Sequence, residues 1–407
     1  MATARPFAIS HHYARCCRDV FVRPVTRWGI LSLGALTHGQ RQACSACFAV
    51  ESPGRMPRQA EGKMHVKYAG SLSSIYLVAW WGCAVAQTYT VTDLGQGSGN
   101  GVNDLGQVVG ASSECSSFGT VLTFATLWSG GTCNILGSDA TSSAAAAINN
   151  AGLAVGYATG GYADTLALAL NESGAMAGAS FFRAETAVGR IGIATIWPAG
   201  CVRTDCATLL VGLGQSRQPS GTAYAINNAG QVVGCSTLSS DSGPEFELPT
   251  SWNGSTPTGL GTVSGYLNGC ALGINSSRVI VGYSRTPSST GPSSTGPVSI
   301  VATRWTGLNA TALPLPPGAT YSVAQAINGR GLIVGFSSNG ATLWDGTEVI
   351  DLNAVSMHGP NVTLQDATAI NSRGQIVVNG YDSVANSAHV YLLTPKGKRG
   401  PSASLRA

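Results

Sequence analysis

Chemistry-bearing residues are few in this chain, and the histidines come first. Two, His358 and His389, follow residue 86. A histidine held between a carboxylate and a serine is the relay that activates a nucleophile for acyl transfer, and Ser and Asp are plentiful. No Gly-x-Ser-x-Gly turn frames a nucleophile. His389 stands where Thr126, Thr195, Thr250, Thr303 and Thr342 stand in a recurring strand, which makes it structural. His358 lies in an Asn/Ser/Gly-rich connection without an obvious partner. Asp164, Asp241, Glu245 and Glu247, in variable stretches, are the carboxylates a polymer-cleaving hydrolase or lyase would use. Asn103-Asp104 and Asn171-Glu172 place oxygens at tight turns, as a calcium loop does. Calcium needs several carboxylates at alternate positions. Asn227-Asn228-Ala229-Gly230 and Asn371-Ser372-Arg373-Gly374 offer none. No catalytic, cofactor-binding or metal-ligating residue is therefore assigned.

Six cysteines follow residue 86: Cys115, Cys133, Cys201, Cys206, Cys235 and Cys270. They form no C-x-x-C pair and have no nearby histidine, so disulfides are favoured over metal. Proximity suggests 115–133, 201–206 and 235–270, although six cysteines allow 15 connectivities. Trp128, Trp197, Trp252, Trp305 and Trp344 recur at one strand position. Such rings could stack on sugars, but spacing that follows the fold reads as packing between repeats.

The elements that carry these residues are repeats. One half-unit is an apolar strand end, an Asn-x-x-Gly turn and a Val-rich strand reaching a second Gly. Its turns begin at Asn103, Asn149, Asn171, Asn227, Asn275, Asn328 and Asn371. Asn bonds backbone N–H groups two residues on, and Gly adopts the left-handed conformation that closes the hairpin. The copy at Asn275 has Arg278 for its turn Gly, so its turn must differ or be strained; the last copy has Val378 for its second Gly. The other half-unit is a Thr/Trp strand, a Gly-containing turn and a strand ending near Leu136, Leu213, Leu260, Leu313 or Leu352. Two hairpins per unit give four strands in roughly 40–50 residues, the size of a propeller blade.

Residues 1–63 stand outside this pattern, with nine basic and three acidic residues. A fresh basic start at Met64 leads into the apolar run from Leu72 to Trp81 and then Ala84-Val85-Ala86. That reads as a secretory signal peptide over 64–86, with export in the chain's path; the expectation is that Met64 is the true start and residues 1–63 lie upstream of it, the alternative for 1–63 being an Arg-rich, acid-poor organelle-targeting segment. From residue 87 onward there are 13 basic and 16 acidic residues. This removes the charge argument for a nucleic-acid binder, which needs an excess of clustered Lys and Arg, and no later segment is long and apolar enough to span a membrane. Residues 87–395 form the repeat domain, and 396–407 read as a disordered basic tail.

The segment Val91-Thr92-Asp93-Leu94-Gly95 resembles a last strand without its Trp strand, whereas the C-terminal unit lacks its last strand. Each end supplies what the other lacks. The expectation is an all-β propeller closed by the N-terminal strand joining the C-terminal blade, which hides sheet edges. Six blades are expected. The extra turn, at Asn149 or Asn171, is then an inserted hairpin around 148–169; the alternative is a degenerate seventh blade. The Ile-Asn-x-x-Gly-x-Val-x-Gly pattern, alternating with Trp and Leu-Gly strands over about 88–395, resembles the bacterial extracellular repeats of the HAF family. The ending Tyr391-Leu392-Leu393-Thr394-Pro395 is similar to that family's C-terminus, while Thr stands where the family has Phe. The resemblance implies a secreted bacterial protein and carries no activity or site residues. The expected role is non-enzymatic, binding or structural, with a surface polysaccharide or a protein as partner.

Overall fold

The computed structural model describes residues 87–112, 122–136, 142–159, 165–183, 190–201, 206–213, 220–238, 246–286 and 299–396. Residues 1–86, Cys115, Asp164, Asp241, Glu245 and 397–407 lie outside these ranges. The start at Met64 and the signal peptide therefore fall outside the described residues.

The first strand is β1 (Thr88–Gln96). Blade one contains β2 (Ser98–Val102), β3 (Val108–Ser112), β4 (Phe124–Ser129) and β5 (Thr132–Ile135). A two-stranded hairpin follows, β6 (Ser142–Ile148) and β7 (Ala154–Thr159). Blade two contains β8 (Thr165–Leu170), β9 (Met176–Arg183), β10 (Arg190–Trp197) and β11 (Thr208–Leu209). Blade three contains β12 (Ser220–Ile226), β13 (Val232–Leu238), β14 (Phe246–Asn253) and β15 (Thr256–Gly259). Blade four contains β16 (Asn268–Ile274), β17 (Val279–Arg285), β18 (Ile300–Thr306) and β19 (Asn309–Ala312). Blade five contains β20 (Ser322–Ile327), β21 (Ile333–Ser337), β22 (Gly340–Asp345) and β23 (Glu348–Asp351). After a helical turn (Leu352–Val355) come β24 (Ser356–Met357), β25 (Val362–Ile370), β26 (Ile376–Asp382) and β27 (Ser387–Lys396).

Each blade is a simple antiparallel meander, and six such sheets make a β-propeller. The ring closes as the chain ends require: β1 pairs antiparallel with β27, from Thr88 opposite Lys396 to Gln96 opposite His389. The N-terminal strand thus completes blade six, and β24 adds a short parallel pair outside it. Lys396 belongs to β27, so the domain runs one residue beyond the expected boundary at 395. The extra hairpin is 142–159 rather than 148–169, and it packs between blades one and two.

The cores lie between neighbouring blades. Val233, Leu260, Ala271, Ile274, Ile280 and Trp305 make one of them, where blades three and four meet. The packing reading of the tryptophans holds: Trp252, Trp305 and Trp344 are fully buried. Each donates its indole N–H to a carbonyl of the preceding blade, those of Val211, Gly261 and Pro314. In blade two the buried outer leucine is Leu210, not Leu213; its N–H bonds Ala194 as Leu260 bonds Pro249.

The second Gly has a steric cause. Every first strand carries a bulge, as between Ala223 and Ala225 in β12. A Cβ on Gly234 would land on the Thr222 carbonyl oxygen. In blade six β25 carries a further bulge between Leu364 and Asp366. The close approach there falls on Gly380, which faces the Thr363 carbonyl, and Val378 is accommodated.

Candidate functional site

The seven predicted turn asparagines come together at one end of the channel. Asn103 donates its Nδ2–H to the Asn149 carbonyl (3.1 Å), and Asn149 to that of Asn171 (3.2 Å). The chain of bonds continues through Asn227, Asn275, Asn328 and Asn371, which returns to the Asn103 carbonyl at 2.9 Å. In the same residues Oδ1 accepts turn N–H groups; at Asn328 these are Arg330 (3.0 Å) and Leu332 (3.1 Å). The hairpin β6–β7 therefore has its own place in a closed seven-membered ring. All seven side chains are buried and committed to one another. They are the frame and not a site.

Arg278 keeps the standard turn. Its N–H bonds the Asn275 carbonyl at 3.1 Å, and φ is +61°, so it occupies the left-handed position that Gly fills in the other copies. The alternative of a strained turn is the correct one.

Two disulfides are formed, Cys201–Cys206 and Cys235–Cys270. Cys133 is also disulfide-bonded, and Cys115 lies outside the described residues. Cys235 on β13 and Cys270 on β16 clasp blades three and four together.

Beside this clasp, at the end opposite the asparagine ring, polar groups converge. Strand pairing puts Asn268 opposite Arg285, and Cys270 opposite Tyr283, on the face of blade four toward blade three. Glu247 of β14 answers from blade three. It accepts from Arg285 Nη2 at 2.9 Å and from the Tyr283 hydroxyl at 3.5 Å. Tyr224, the bulge residue of β12, is 39% exposed. Burial, reinforced by the Glu247 charge, pushes the Tyr283 phenol up to about 12 and raises Tyr224 likewise. Both phenols are therefore neutral hydrogen-bond donors at any physiological pH. Asn268 is 98% buried by its 2% exposure, yet its Oδ1 has no partner, and neither has the buried Nε of Arg285. Both atoms are shut away from solvent, so they are a polar defect in the packing between the blades and not a face open to a ligand. Of the four suspect carboxylates, Glu247 alone falls among the described residues, and sequence reasoning missed its partners because they lie on another blade.

A second constellation closes the ring. His389 Nδ1 lies 2.9 Å from Asp93 Oδ2 across β1–β27, and Nε2 lies 3.1 Å from Ser387 Oγ. The recurring threonines lie opposite the second Gly of their blades and bond the carbonyl two residues back, as Thr250, opposite Gly234, does with Leu248 at 2.8 Å. In blade six that place, opposite Val378, belongs to Tyr391, and His389 lies two residues away opposite Gly380, so the expected equivalence of His389 with the threonines is corrected: the extra bulge in β25 shifts the apparent repeat spacing. Ser387 is an in-strand residue, and the nearby turn N–H groups of Val384 and Ala385 are taken by Asp382 Oδ1. His358 has backbone partners after all, the carbonyls of Gly359 (2.9 Å) and Asn353 (3.3 Å).

On the wall of blade six, burial lifts the Asp366 carboxyl to about 6, partly offset by the Gln325 amide at 2.9 Å. At the asparagine end, Asp104 is held below the ordinary range. Burial opposes this, but bonds from Ser372 and Asn150 and the Arg373 charge outweigh it.

No protein-family model matches the chain, and no curated protein does.

Proposed function

We propose that this chain is an exported, non-enzymatic repeat protein that binds a polyhydroxylated ligand, such as a surface polysaccharide, outside the cell. The observation that carries the reading is the polar cluster where blades three and four meet. It offers the partly exposed Tyr224 ring for stacking and the Glu247 carboxylate, fixed by Arg285 and beside the Tyr283 hydroxyl. Aromatic faces with alternating donors and acceptors suit sugars, and Glu247 disfavours an anion in the same place. The disulfides and the lack of a membrane-crossing helix among the described residues are compatible with an exported chain. The repeat pattern supports placing it with the bacterial HAF-type repeats. The test is a glycan array probed with the protein purified from an oxidising compartment. Binding to one neutral sugar class, lost in Tyr224→Ala and Glu247→Gln with the fold intact, is the expected result. Binding that survives both substitutions sinks this placement of the ligand.

The Ser387–His389–Asp93 line favours a second reading, hydrolysis of an extracellular polymer. Ser387 would be the nucleophile, His389 its base and Asp93 the group that orients the ring. Its weakness is the lack of free N–H groups for an oxyanion among the described residues. A fluorophosphonate probe decides it. Labelling of the wild type but not of Ser387→Ala supports the hydrolase, and unlabelled wild-type protein removes it.

A further inference from the structure

We propose that the asparagine-ring end of the propeller carries a separate binding surface for an acidic polysaccharide, made by Arg278, Arg330 and Arg373. These residues lie on the turns of three consecutive blades. The ring ties those turns closely: Asn275 donates to the Asn328 carbonyl (3.1 Å) and Asn328 to the Asn371 carbonyl (3.0 Å). All three arginines are exposed. Among the described residues the ion pairs join Arg285 to Glu247 and His389 to Asp93, and neither uses these guanidinium groups. The three charges thus form one arc on a short stretch of rim.

Arg278 is the informative member. It takes a left-handed conformation, φ +61°, which is unfavourable for a residue with a Cβ. Six sister turns fill the place with Gly, at φ between +78° and +86°. The turn bonds of the Asn275 copy match those of its sisters, so Gly would serve the fold there. A strained residue that the fold does not require is evidence for a task outside the fold. The acidic turn residues behave differently. Asp104 accepts the Ser372 N–H at 2.9 Å and Glu172 accepts the Asn150 N–H at 3.0 Å, so both are tied into the inter-turn bonds; Glu172 lies away from the arginines, whereas Asp104 borders the arc at the Arg373 turn. The rim thus has carboxylates bound to neighbouring turns and three exposed arginines, of which Arg373 feels a nearby carboxylate, that of Asp104.

Spaced guanidinium groups pair with carboxylate or sulfate in a two-pronged geometry. A polymer with such groups on successive sugars can engage all three at once. Nucleic acid fits less well. The turn residues 103–107, 275–279, 328–332 and 371–375 include no aromatic side chain for base stacking, and the chain from residue 87 has more acidic than basic residues. This surface is independent of the polar cluster between blades three and four, so variants in either one leave the other unchanged.

The test is affinity electrophoresis of the purified chain in gels cast with polygalacturonate, dextran sulfate or neutral dextran. Retardation by an acidic polymer, fading as salt rises, is expected, with no retardation by neutral dextran. Polygalacturonate against dextran sulfate tells carboxylate from sulfate preference. Arg330→Gln and Arg373→Gln should each weaken binding by roughly three- to ten-fold, as should Arg278→Gly. Arg278→Gly should also unfold at the same or a higher denaturant concentration than the wild type. Tyr224→Ala should bind as the wild type. Three results would overturn the proposal: no retardation of the wild type, retardation of all three arginine variants equal to that of the wild type, or duplex DNA displacing the polymer more readily than the polymer displaces DNA. A destabilised Arg278→Gly variant would give Arg278 a structural task and overturn the argument from strain.

Discussion

Replacing Asn328 with Ala tests the central claim about how the ring is held. The side chain is 5% exposed and makes three bonds: it accepts from Arg330 N–H and Leu332 N–H and donates to the Asn371 carbonyl. Ala removes all three, leaves two donors unpaired beside a buried ring, and leaves the Asn371 carbonyl with only the Gly374 N–H of its own turn. An unsatisfied buried group costs about 1–3 kcal/mol. Partial access of water to the turn puts the sum near the low end, about 3–5 kcal/mol. That is a large share of the roughly 5–15 kcal/mol typical of a folded domain. Asn328→Asp separates the two roles. It keeps the acceptors but points a carboxylate oxygen at the Asn371 carbonyl oxygen. Its deficit should be about 2–4 kcal/mol at pH 7 and shrink as the carboxyl is protonated. The control is Asn150→Ala at an exposed second turn position, expected to cost less than about 1 kcal/mol. Urea unfolding under oxidising conditions reads all three. A cost below about 1 kcal/mol for Asn328→Ala, with an unchanged m-value, would refute the idea that the asparagine ring bears load.

Three further perturbations have signs set by the structure. Asp366 has a folded pKa of about 6 against the ordinary 3.8. It is neutral in both states below pH 4, and the folded state is penalised progressively between pH 4 and 6. Stability should therefore fall across that window by up to about 3 kcal/mol, and Asp366→Asn should abolish the fall; an unchanged pH profile refutes the assignment. Removing the Cys235–Cys270 clasp, which closes a loop with a sequence separation of 35, should cost about 4 kcal/mol on chain-entropy grounds. Identical thermal melts of the double Ala variant and the wild type would contradict this. Gly234→Ala should be among the most damaging small changes, since its methyl would meet the Thr222 carbonyl. Soluble export at wild-type level would show that the bulge can relax.

The frame was legible because its causes are local. Asn, Gly and the Trp spacing announce hairpins, and the complementary defects at Val91–Gly95 and Tyr391–Pro395 announce the closure that β1 and β27 make. The polar clusters were not, because they are assembled across blades. Glu247 and Arg285 are 38 residues apart in sequence, and Asp93 and His389 are 296 apart. The repeat spacing misplaces His389 at the threonine position, which Tyr391 holds, because the extra bulge in β25 is not visible in it, and the line from His389 to Ser387 and Asp93 depends on the strand that closes the circle. Arg278 was visible as an anomaly. Its conformation, which turns the anomaly into an argument, required the backbone.

The contrast between six complete sheets and seven turns follows from where the ring gets its size. The asparagine bonds join first strands only, so the circumference is set by the number of Asn hairpins and not by the number of four-stranded blades. The β6–β7 hairpin lacks a third and fourth strand, yet Asn149 still donates to Asn171 and its own carbonyl still accepts from Asn103. Losing outer strands costs a blade local packing, while losing the turn would remove the two bonds that join Asn103 to Asn171 through Asn149 and open the circle. Selection on the turn is therefore decoupled from selection on the rest of the blade. This explains how Asn149 and Asn171 come to stand only 22 residues apart in a chain whose other neighbouring turns are 43 to 56 apart. It also makes Asn149→Ala as costly as Asn328→Ala, even though its blade is the smallest. A much milder effect at Asn149 would mean that complete blades hold the ring and the bonds merely decorate it.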